Sequence, residues 1–231
     1  MKLTFEKESI LNGLNIVSKA IPSKTTMSIL ECILIDASAN EIKFTANDME
    51  MGIETKVEGL ILEKGKIALE AKLFYEIIRK LSTEDSAISI ESDEKFNTTI
   101  SCGKSVFNIP GRDGEEFSYL PYIERDHHIC LSQFTLKEVI QQTIFSISPN
   151  DSNKMMSGEL FEVKENKLRV VSLDGHRISI RNITLKENYD AIKVIVPGKT
   201  LTEISKILSG DNEKDVQIYF SKNHILFEFD D

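Results

Sequence analysis

Apolar and polar residues alternate along 168–172, which is the two-residue period of a β-strand with one buried face. The strand ends in Asp174-Gly175, a pair typical of a hairpin turn because glycine adopts positive φ without steric cost. Alternation resumes at Ile178. The pattern predicts a tight turn between two strands, with His176-Arg177 directly after it.

The same pattern occurs earlier in the chain, where strand 42–46 leads into a turn at Asp48 and a second strand follows. Asp48 and Asp174 are 126 residues apart, and so are Ile42 and Leu168. Two helical patterns that begin at Lys72 and Lys199 are 127 residues apart. This nearly constant offset predicts an internal duplication and disfavours two unrelated α+β domains.

Each repeat contains the series strand, helix, three strands twice, which indicates an α+β protein. Helices are predicted at Ser9–Ala20 (with Ser9 as N-cap), Lys72–Leu81, Thr135–Ile147 and Lys199–Leu208. Their expected inward positions are Ile10, Leu14, Val17, Leu73, Ile77, Leu81, Leu136, Val139, Ile140 and Ile144. The predicted strands are 2–6, 29–37, 41–46, 52–57, 66–69, 87–91, 97–102, 105–109, 129–131, 160–163, 168–172, 177–183, 193–196, 216–220 and 224–229.

The pattern divides the chain into domain one at 1–110, a linker at 111–128 and domain two at 129–231. The second repeat lacks a counterpart of strand 105–109, so its last strand is expected to be missing.

Composition limits the class of protein. The chain has 231 residues, 41% of them hydrophobic and 28% charged, and neither a bilayer-length apolar run nor a signal peptide is apparent. Its three scattered cysteines lack zinc or redox spacing, which favours reduced thiols in the cytoplasm. The net charge of −9 disfavours nucleic-acid binding unless positive charge is locally segregated. Nothing predicts a cofactor or a metal.

Asp174 and His176 suggest an alternative, a soluble α+β enzyme domain that uses them as an acid–base pair. Such an enzyme would have a pocket with perturbed titratable groups. An aspartate that bonds to the backbone of its own turn is the commoner arrangement, and no serine or cysteine nucleophile motif lies nearby. The histidines at 127, 128 and 224 lack metal-ligand spacing.

Several stretches resemble one family along the whole chain. They are Ser28–Leu34, Thr45–Met51, Glu116–Pro121, Asp174–Arg177 and Ile195–Lys199. The Asp-Gly-His-Arg and Phe-x-x-Leu-Pro stretches are the most diagnostic. The family is that of the bacterial DNA polymerase III beta subunit, the DNA sliding clamp. The chain departs from the family pattern at Ser28 and at 153–156.

The resemblance implies a clamp fold, with helices on one face and antiparallel sheets on the other. It implies a non-catalytic processivity factor that encircles duplex DNA without sequence preference and tethers the polymerase. The family has three such domains, of which this chain would cover domains one and two, with domain three absent. In the family, full-length subunits form a head-to-tail homodimeric ring in the bacterial cytoplasm, associated with the nucleoid and not with a membrane.

The resemblance also implies three sets of site residues. The helix face that would contact DNA backbone comprises Lys24, Lys72, Arg79, Lys80, Lys137, Asn150, Lys199 and Lys206, although ordinary solvated helix faces would look similar. A hydrophobic cleft for short apolar peptides of the polymerase alpha subunit, the clamp loader and repair polymerases comprises Met156, Leu173, Gly175, His176, Arg177 and Ile178. The ring interface comprises Lys104, Val106, Phe107, Ile109, Tyr75 and Ile78.

Overall fold

The computed structural model of the protein describes residues 1–82, 87–149, 153 and 155–230. Their contacts divide them into two compact units, Met1–Leu120 and Pro121–Asp230. Within these residues each unit contains two α-helices and antiparallel strands. The predicted α+β class is therefore confirmed.

The first unit has two helices, α1 (Lys7–Val17) and α2 (Ala71–Lys80), which pack against each other. Its strands are β1 (Lys2–Phe5), β2 (Cys32–Asp36), β3 (Lys43–Asn47), β4 (Gly52–Lys56), β5 (Leu60–Glu63), β6 (Lys66–Glu70), β7 (Ile88–Ser92), β8 (Asn97–Cys102) and β9 (Ser105–Asp113). In the described part of the unit these strands follow the order β4-β3-β2-β6-β9-β8-β7-β1-β5. One end of β9 pairs with β8 and the other with β6, so β9 joins the two halves of the sheet.

The second unit repeats this arrangement with longer strands. Its elements are β10 (His128–Ser132), α3 (Gln133–Thr143), β11 (Gly158–Leu173), β12 (Ile178–Pro197), α4 (Gly198–Ile207), β13 (Asp215–Phe220) and β14 (Ile225–Glu228). Among the described strands, β10, β13 and β14 form one sheet, and β11 pairs with β12. Helix α3 packs against α4.

The duplication predicted from the sequence is present in the fold. The elements β1 and β10 begin at Lys2 and His128, 126 residues apart. The helices α1 and α3 begin at 7 and 133, again 126 residues apart. The turns that follow β3 and β11 keep the same offset, with β4 beginning at 52 and β12 at 178. Corresponding positions of the two units can therefore be compared directly.

Each unit has its own core. Phe44 lies between Phe5 and Phe74 in the first unit, with ring centroids 6.0 and 6.3 Å apart. The core of the second unit contains one carboxyl group, that of Glu159, which is fully buried and has no hydrogen-bond partner among the described residues. The corresponding position of the first unit, 126 residues earlier, is the fully buried Ile33.

The helix predictions needed small corrections. Ser9 is not the N-cap of α1, because the helix begins at Lys7 and its N-cap is Glu6, which makes no side-chain cap. Leu73, predicted to face inward, is 42% exposed, and the neighbouring Phe74 occupies the core instead. The predicted ends of the first and third helices are short 3-10 turns at 18–20 and 144–146.

Some predicted strands have different bounds. The stretch 28–31 forms a 3-10 turn, and β2 begins only at Cys32. Leu30 is buried within that turn, so its apolar character mimicked a strand. The predicted strands at 160–163 and 168–172 both belong to β11, whose register shifts around Glu165, a residue with φ of +55°. The strands predicted at 177–183 and 193–196 likewise both belong to β12.

The first part of the predicted linker is packed structure. Residues 111–113 extend β9 and pair with β6. Phe117 is 1% exposed, in a cluster with Cys32, Leu34 and Ala68. The ammonium of Lys66 donates to the Tyr119 hydroxyl at 2.6 Å and lies 3.1 Å from a Glu115 carboxylate oxygen. This half of the segment is thereby fixed to the first unit.

Helices in the described part of the chain have at most 11 residues, and none has the length and apolar character needed to cross a membrane.

Candidate functional site

The turn at Asp174 organises the residues around it. The Asp174 carboxylate Oδ1 accepts backbone N–H bonds from His176 at 2.9 Å and from Arg177 at 3.1 Å. Its Oδ2 accepts from the Arg177 guanidinium at 2.9 Å. Gly175 has φ of +89°, the left-handed region that glycine adopts at little cost. Asp174 therefore fixes a turn that presents the side chains of His176 and Arg177 at the surface.

The first unit contains the same turn. The Asp48 carboxylate accepts from the backbone N–H groups of Glu50 at 3.0 Å and Met51 at 2.7 Å. Where the second unit has Gly175, the first has Met49, with φ of +73°. The aspartate is thus part of the repeated fold and does not by itself mark a reactive site.

The acid–base pair of the enzyme hypothesis does not form. Asp174 contacts the backbone of His176, and the imidazole is not its partner. Backbone hydrogen bonding from His176 holds the pKa of the Asp174 carboxyl below its usual range. Within the described residues, no three His, Cys, Asp or Glu side chains are grouped so as to hold a metal ion. The turn can therefore present side chains to a ligand, but its carboxylate is not arranged for proton transfer.

Apolar side chains are exposed on both sides of this turn. Leu173 and Ile178 are register partners at the ends of β11 and β12 and are 38% and 59% exposed. Met156 is half-buried, and its Cε lies 3.7 Å from the position that a Cβ on Gly175 would occupy. The structure therefore brings together the predicted residues Met156, Leu173, Gly175, His176, Arg177 and Ile178.

Sequence reasoning missed three further members of this surface. Phe145, Met155 and Ile180 are 57%, 72% and 44% exposed. The Arg177 guanidinium lies 5.9 Å from the centroid of the Phe145 ring, within the range of a cation–π contact. In the predicted helix Thr135–Ile147, Phe145 falls outside the inward-facing positions. An aromatic side chain on the outer face was the sequence feature that could have identified it. We call these three residues, together with the predicted Met156, Leu173, Gly175, His176, Arg177 and Ile178, the turn surface.

Most of the predicted basic residues lie on exposed helix faces. Lys72 is exposed at the start of α2. Arg79 and Lys80 flank Glu76, at 2.9 and 3.2 Å from its carboxylate. The hydrogen bond from Arg79 holds the pKa of the Glu76 carboxyl below its usual range. Helix α2 carries three cationic side chains and one carboxylate, so its net charge is positive.

The other predicted basic residues differ in their surroundings. Lys206 lies 2.7 Å from the Glu203 carboxylate on α4, and Lys199 is exposed in the first turn of that helix. Lys24 is exposed in the loop between α1 and β2. Asn150 lies outside the described residues.

Lys137 has a structural partner. Its ammonium is half-buried on α3 and donates to the carbonyl of Leu208, the C-cap of α4, at 2.8 Å. Lys7 makes the same kind of bond in the first unit, to the carbonyl of Leu81 at the end of α2. A cation at a helix C-terminus satisfies a free carbonyl and the negative end of the helix dipole. Lys137 is thus a helix cap, which leaves its charge less available to a ligand.

The predicted interface residues separate into surface and core. Val106 and Phe107 are 60% and 39% exposed, and Lys104 is exposed beside them. Ile78 is fully buried and Ile109 is 6% exposed, so both belong to the core of the first unit. The structure therefore places both side chains beneath the predicted surface and not on it.

Tyr75 and the edge of β9 complete that region. Tyr75 is half-buried, and its hydroxyl donates to Asn15 at 2.8 Å. The stretch 105–110 of β9 pairs with β8, whereas the pairing of β9 with β6 is restricted to 111–113. In the part of the chain that the structure describes, the other edge of 105–109 is therefore open.

Comparison with known proteins agrees with this architecture. The profile of the DNA polymerase III beta subunit N-terminal domain matches residues 1–121, and that of the central domain matches residues 130–231. A beta sliding clamp of Staphylococcus aureus is 36% identical over 236 residues, which cover 99% of this chain and 62% of the relative. The chain thus spans about three-fifths of the length of the curated relatives it matches.

Solved structures give the same result. A crystal structure assigned as a DNA polymerase III beta subunit of Eubacterium rectale is 64% identical, with a TM-score of 0.96 over 100% of this chain and 62% of that one. The DNA polymerase sliding clamp of Bacillus subtilis is 34% identical, with a TM-score of 0.94 over 99% of this chain and 62% of that one. The match of two successive family domains, each to one unit of the fold, identifies the chain as a member of the DNA polymerase III beta-subunit family.

Proposed function

We propose that this chain is part of a DNA sliding clamp, a non-catalytic processivity factor that surrounds duplex DNA and tethers the replicative polymerase in the bacterial cytoplasm, at the nucleoid. The observation that carries the proposal is charge segregation on the duplicated fold. The four helices together hold seven cationic and four acidic side chains, in a chain whose net charge is −9. Five of the cations remain when the capping residues Lys7 and Lys137 are set aside. Basic helices would contact phosphates without reading bases, while the acidic remainder would repel DNA.

Salt-dependent binding to duplex DNA tests this role. We expect Lys24→Glu with Lys72→Glu to weaken binding equally for unrelated DNA sequences. Each lost phosphate contact should reduce the slope of log affinity against log salt by about 0.9. Fluorescence anisotropy with a labelled duplex, at several salt concentrations, measures both quantities.

The matched control makes the same charge change away from the helices. Lys95 and Lys222 are exposed in the β7–β8 and β13–β14 turns. Lys95→Glu with Lys222→Glu should leave the slope unchanged. An equal loss in both double variants would mean that net charge alone governs binding, and it would refute a specific helix surface.

We further propose that the turn surface binds short apolar peptides of the polymerase alpha subunit, the clamp loader and repair polymerases. Apolar side chains would supply the contact area, Met156 would adapt its shape, and Arg177 would contact polar groups at the rim. A hexapeptide that ends in Leu-Phe should shift the amide resonances of 173–180. Ile178→Ser should weaken this binding several-fold, since it removes an exposed apolar contact.

The control peptide ends in Ser-Ser and has the same length. It should leave the amides of 173–180 in place. Shifts of equal size for both peptides, or shifts confined to the first unit, would refute the assignment of the turn surface.

The ring interface is the third part of the proposal. The open edge of 105–109, with Lys104, Val106 and Phe107 exposed, supports pairing with an edge strand of another subunit, as in a head-to-tail ring. The half-buried Tyr75 lies on α2 in the same unit and is included as a neighbouring contact.

A further inference from the structure

The strand β5 of the first unit exposes leucine side chains on an open sheet edge. It pairs with β1 and is last in the strand order, so its other edge has no neighbour among the described residues. Ile61 packs against the core, while Leu60 and Leu62 are 60% and 53% exposed. Edge strands are usually protected by charge, proline or bulges, because open edges invite pairing. Two exposed leucines on an open edge are the opposite of this protection.

A groove of about 1450 Å³ runs beside this edge. Its walls are β5 with the residues just before it and helix α1, which contributes the half-buried Leu11 and the exposed Asn12. Gly59 also lines it, and a Cβ there would come within 2.7 Å of the Phe5 ring. The groove thus combines a free backbone edge with apolar side chains, the two elements that an added β-strand requires.

The rim of the groove is acidic. Glu6, Glu8 and Glu58 are exposed around it, and none has an ion-pair partner among the described residues. Of the nearby cations, Lys56 lies 3.3 Å from a Glu41 carboxylate oxygen, and Lys64 donates to the neutral Asn40 side chain at 3.0 Å and keeps its charge. The residues that line the groove therefore hold four carboxylates against two ammonium groups. Such a rim repels phosphates and favours a basic ligand. It also opposes pairing between two copies of the same edge.

The second unit provides an internal comparison. The stretch that corresponds to β5 there, 186–190, reads Lys-Glu-Asn-Tyr-Asp, and the position 126 residues after Leu11 is Lys137. The same fold therefore forms without leucines at these places. The apolar character of the groove is consequently not a requirement of the architecture.

The groove is also separate from the turn at Asp48. It is lined by Ile42 and Lys56, beside the Lys43–Lys56 end of the β3–β4 pair. The Asp48 turn closes the opposite end, next to the Asn47–Gly52 pair. A ligand in the groove would therefore be distinct from a ligand at any surface built like the turn surface.

From these observations we infer that the β5 edge of the first unit is a docking site for an extended, basic segment of a partner protein. The segment adds a strand to the sheet beside β5. Its alternate apolar residues lie against Leu60, Leu62 and Leu11, and its lysine or arginine side chains face Glu6, Glu8 and Glu58.

A synthetic heptapeptide, acetyl-Lys-Val-Lys-Ile-Lys-Val-Lys-amide, is the probe. Titrated into the isotope-labelled 231-residue chain, it should shift the amide resonances of 59–63 and slow their hydrogen exchange. The matched peptide with glycine in place of Val and Ile carries the same charge. It should bind at least tenfold more weakly, because it lacks the apolar contacts.

Two variants separate this site from general attraction to an acidic protein. Leu60→Lys with Leu62→Asn introduces residue types found in the second unit and should weaken the probe at least tenfold, with the spectrum of the second unit unchanged. Glu8→Gln with Glu58→Gln should weaken it several-fold and reduce its salt dependence. Equal affinity of the leucine variant, equal affinity of the glycine peptide, or shifts centred outside 59–63 would each overturn the inference.

Discussion

At the scale of single residues, the carboxyl group of Glu159 is the most unusual. Burial raises its pKa to about 7 from an ordinary value of 4.5. Thr143, the nearby hydroxyl that could lower this pKa, donates instead to the Val139 carbonyl at 2.7 Å. Glu159 is therefore neutral below about pH 7 in the folded chain, whereas in the unfolded chain it ionises at lower pH.

This difference predicts a pH-dependent stability. As pH rises from 4.5 to about 7, the unfolded chain releases the proton first, so the stability of the folded state falls. Glu159→Met should increase the free energy of unfolding more at pH 8 than at pH 5, by about 2 to 3 kcal/mol. Urea denaturation at both pH values measures this. Glu187→Gln, at an exposed position, is the control; an equal gain at both pH values for Glu159→Met would contradict the prediction.

Substitutions at the corresponding positions of the two turns should change the stability of the fold in opposite directions. Met49 holds φ of +73° and Gly175 φ of +89°, a region that costs a side-chain-bearing residue about 1 kcal/mol or more. Met49→Gly should stabilise the chain by about 0.5 kcal/mol, after the added freedom of glycine in the unfolded state is included. Gly175→Ala should destabilise it by about 1 kcal/mol through strain alone, since the nearest heavy atom to the new Cβ is 3.7 Å away.

Thermal or urea unfolding of the two variants provides the measurement. A loss of stability for Met49→Gly would show that its side chain contributes contacts that outweigh the strain.

At the scale of elements, Lys137 and Lys206 separate helix capping from ligand contact. Lys137 donates to the last turn of α4, so Lys137→Met should cost about 1 kcal/mol of stability with little effect on the salt dependence of DNA binding. Lys206 is an exposed residue of an ion pair, so Lys206→Met should change stability by less than about 0.5 kcal/mol and reduce the salt slope. The reverse pattern would reassign both residues. Denaturation and anisotropy on the same samples distinguish the outcomes.

Sequence patterns predicted helices and strands well where the hydrophobic period and the residues of the adjoining turn indicated the same element. The Asp174-Gly175 turn was predicted because aspartate and glycine favour turns through their own local backbone. The hydrogen bonds from the His176 and Arg177 backbone to the Asp174 carboxylate confirm it. The capping role of Lys137 could not be predicted, because its partner carbonyl is 71 residues away in sequence. The burial of Ile78 and Ile109 could not be predicted for a similar reason. Their burial depends on which face of a helix or edge strand meets the core.

The segment 114–120 shows the same limit. The Phe-x-x-Leu-Pro pattern that begins in it indicates the family, but the composition of the segment is typical of a linker. The packing of Phe117 on β2 and β6, through Leu34 and Ala68, depends on contacts that local pattern does not encode.

At the scale of the whole chain, two strand edges bear on assembly. The stretch 105–109 of β9 is open, and β14 is last in its sheet order among the described strands. The proposed ring pairs the first of these edges with a domain that lies outside the two matched here. We expect the 231-residue chain to be monomeric in dilute solution, as measured by light scattering coupled to size exclusion.

Concentrated samples test the edge itself. Any dimer that forms through β9 should disappear in Val106→Lys with Phe107→Lys, because charge on an edge strand opposes pairing. A stable closed dimer or trimer at low concentration would contradict the expected monomer.

The duplicated turn offers an internal standard for spectroscopy. In each unit, two amide protons are held on the Oδ1 atom of one aspartate, at Glu50 and Met51 and again at His176 and Arg177. A change of temperature should shift both pairs of resonances together. A molecule seated on the turn surface should shift the second pair alone. The first turn thus serves as a reference probe within the same polypeptide, so that occupancy can be read as a difference between two signals in one spectrum.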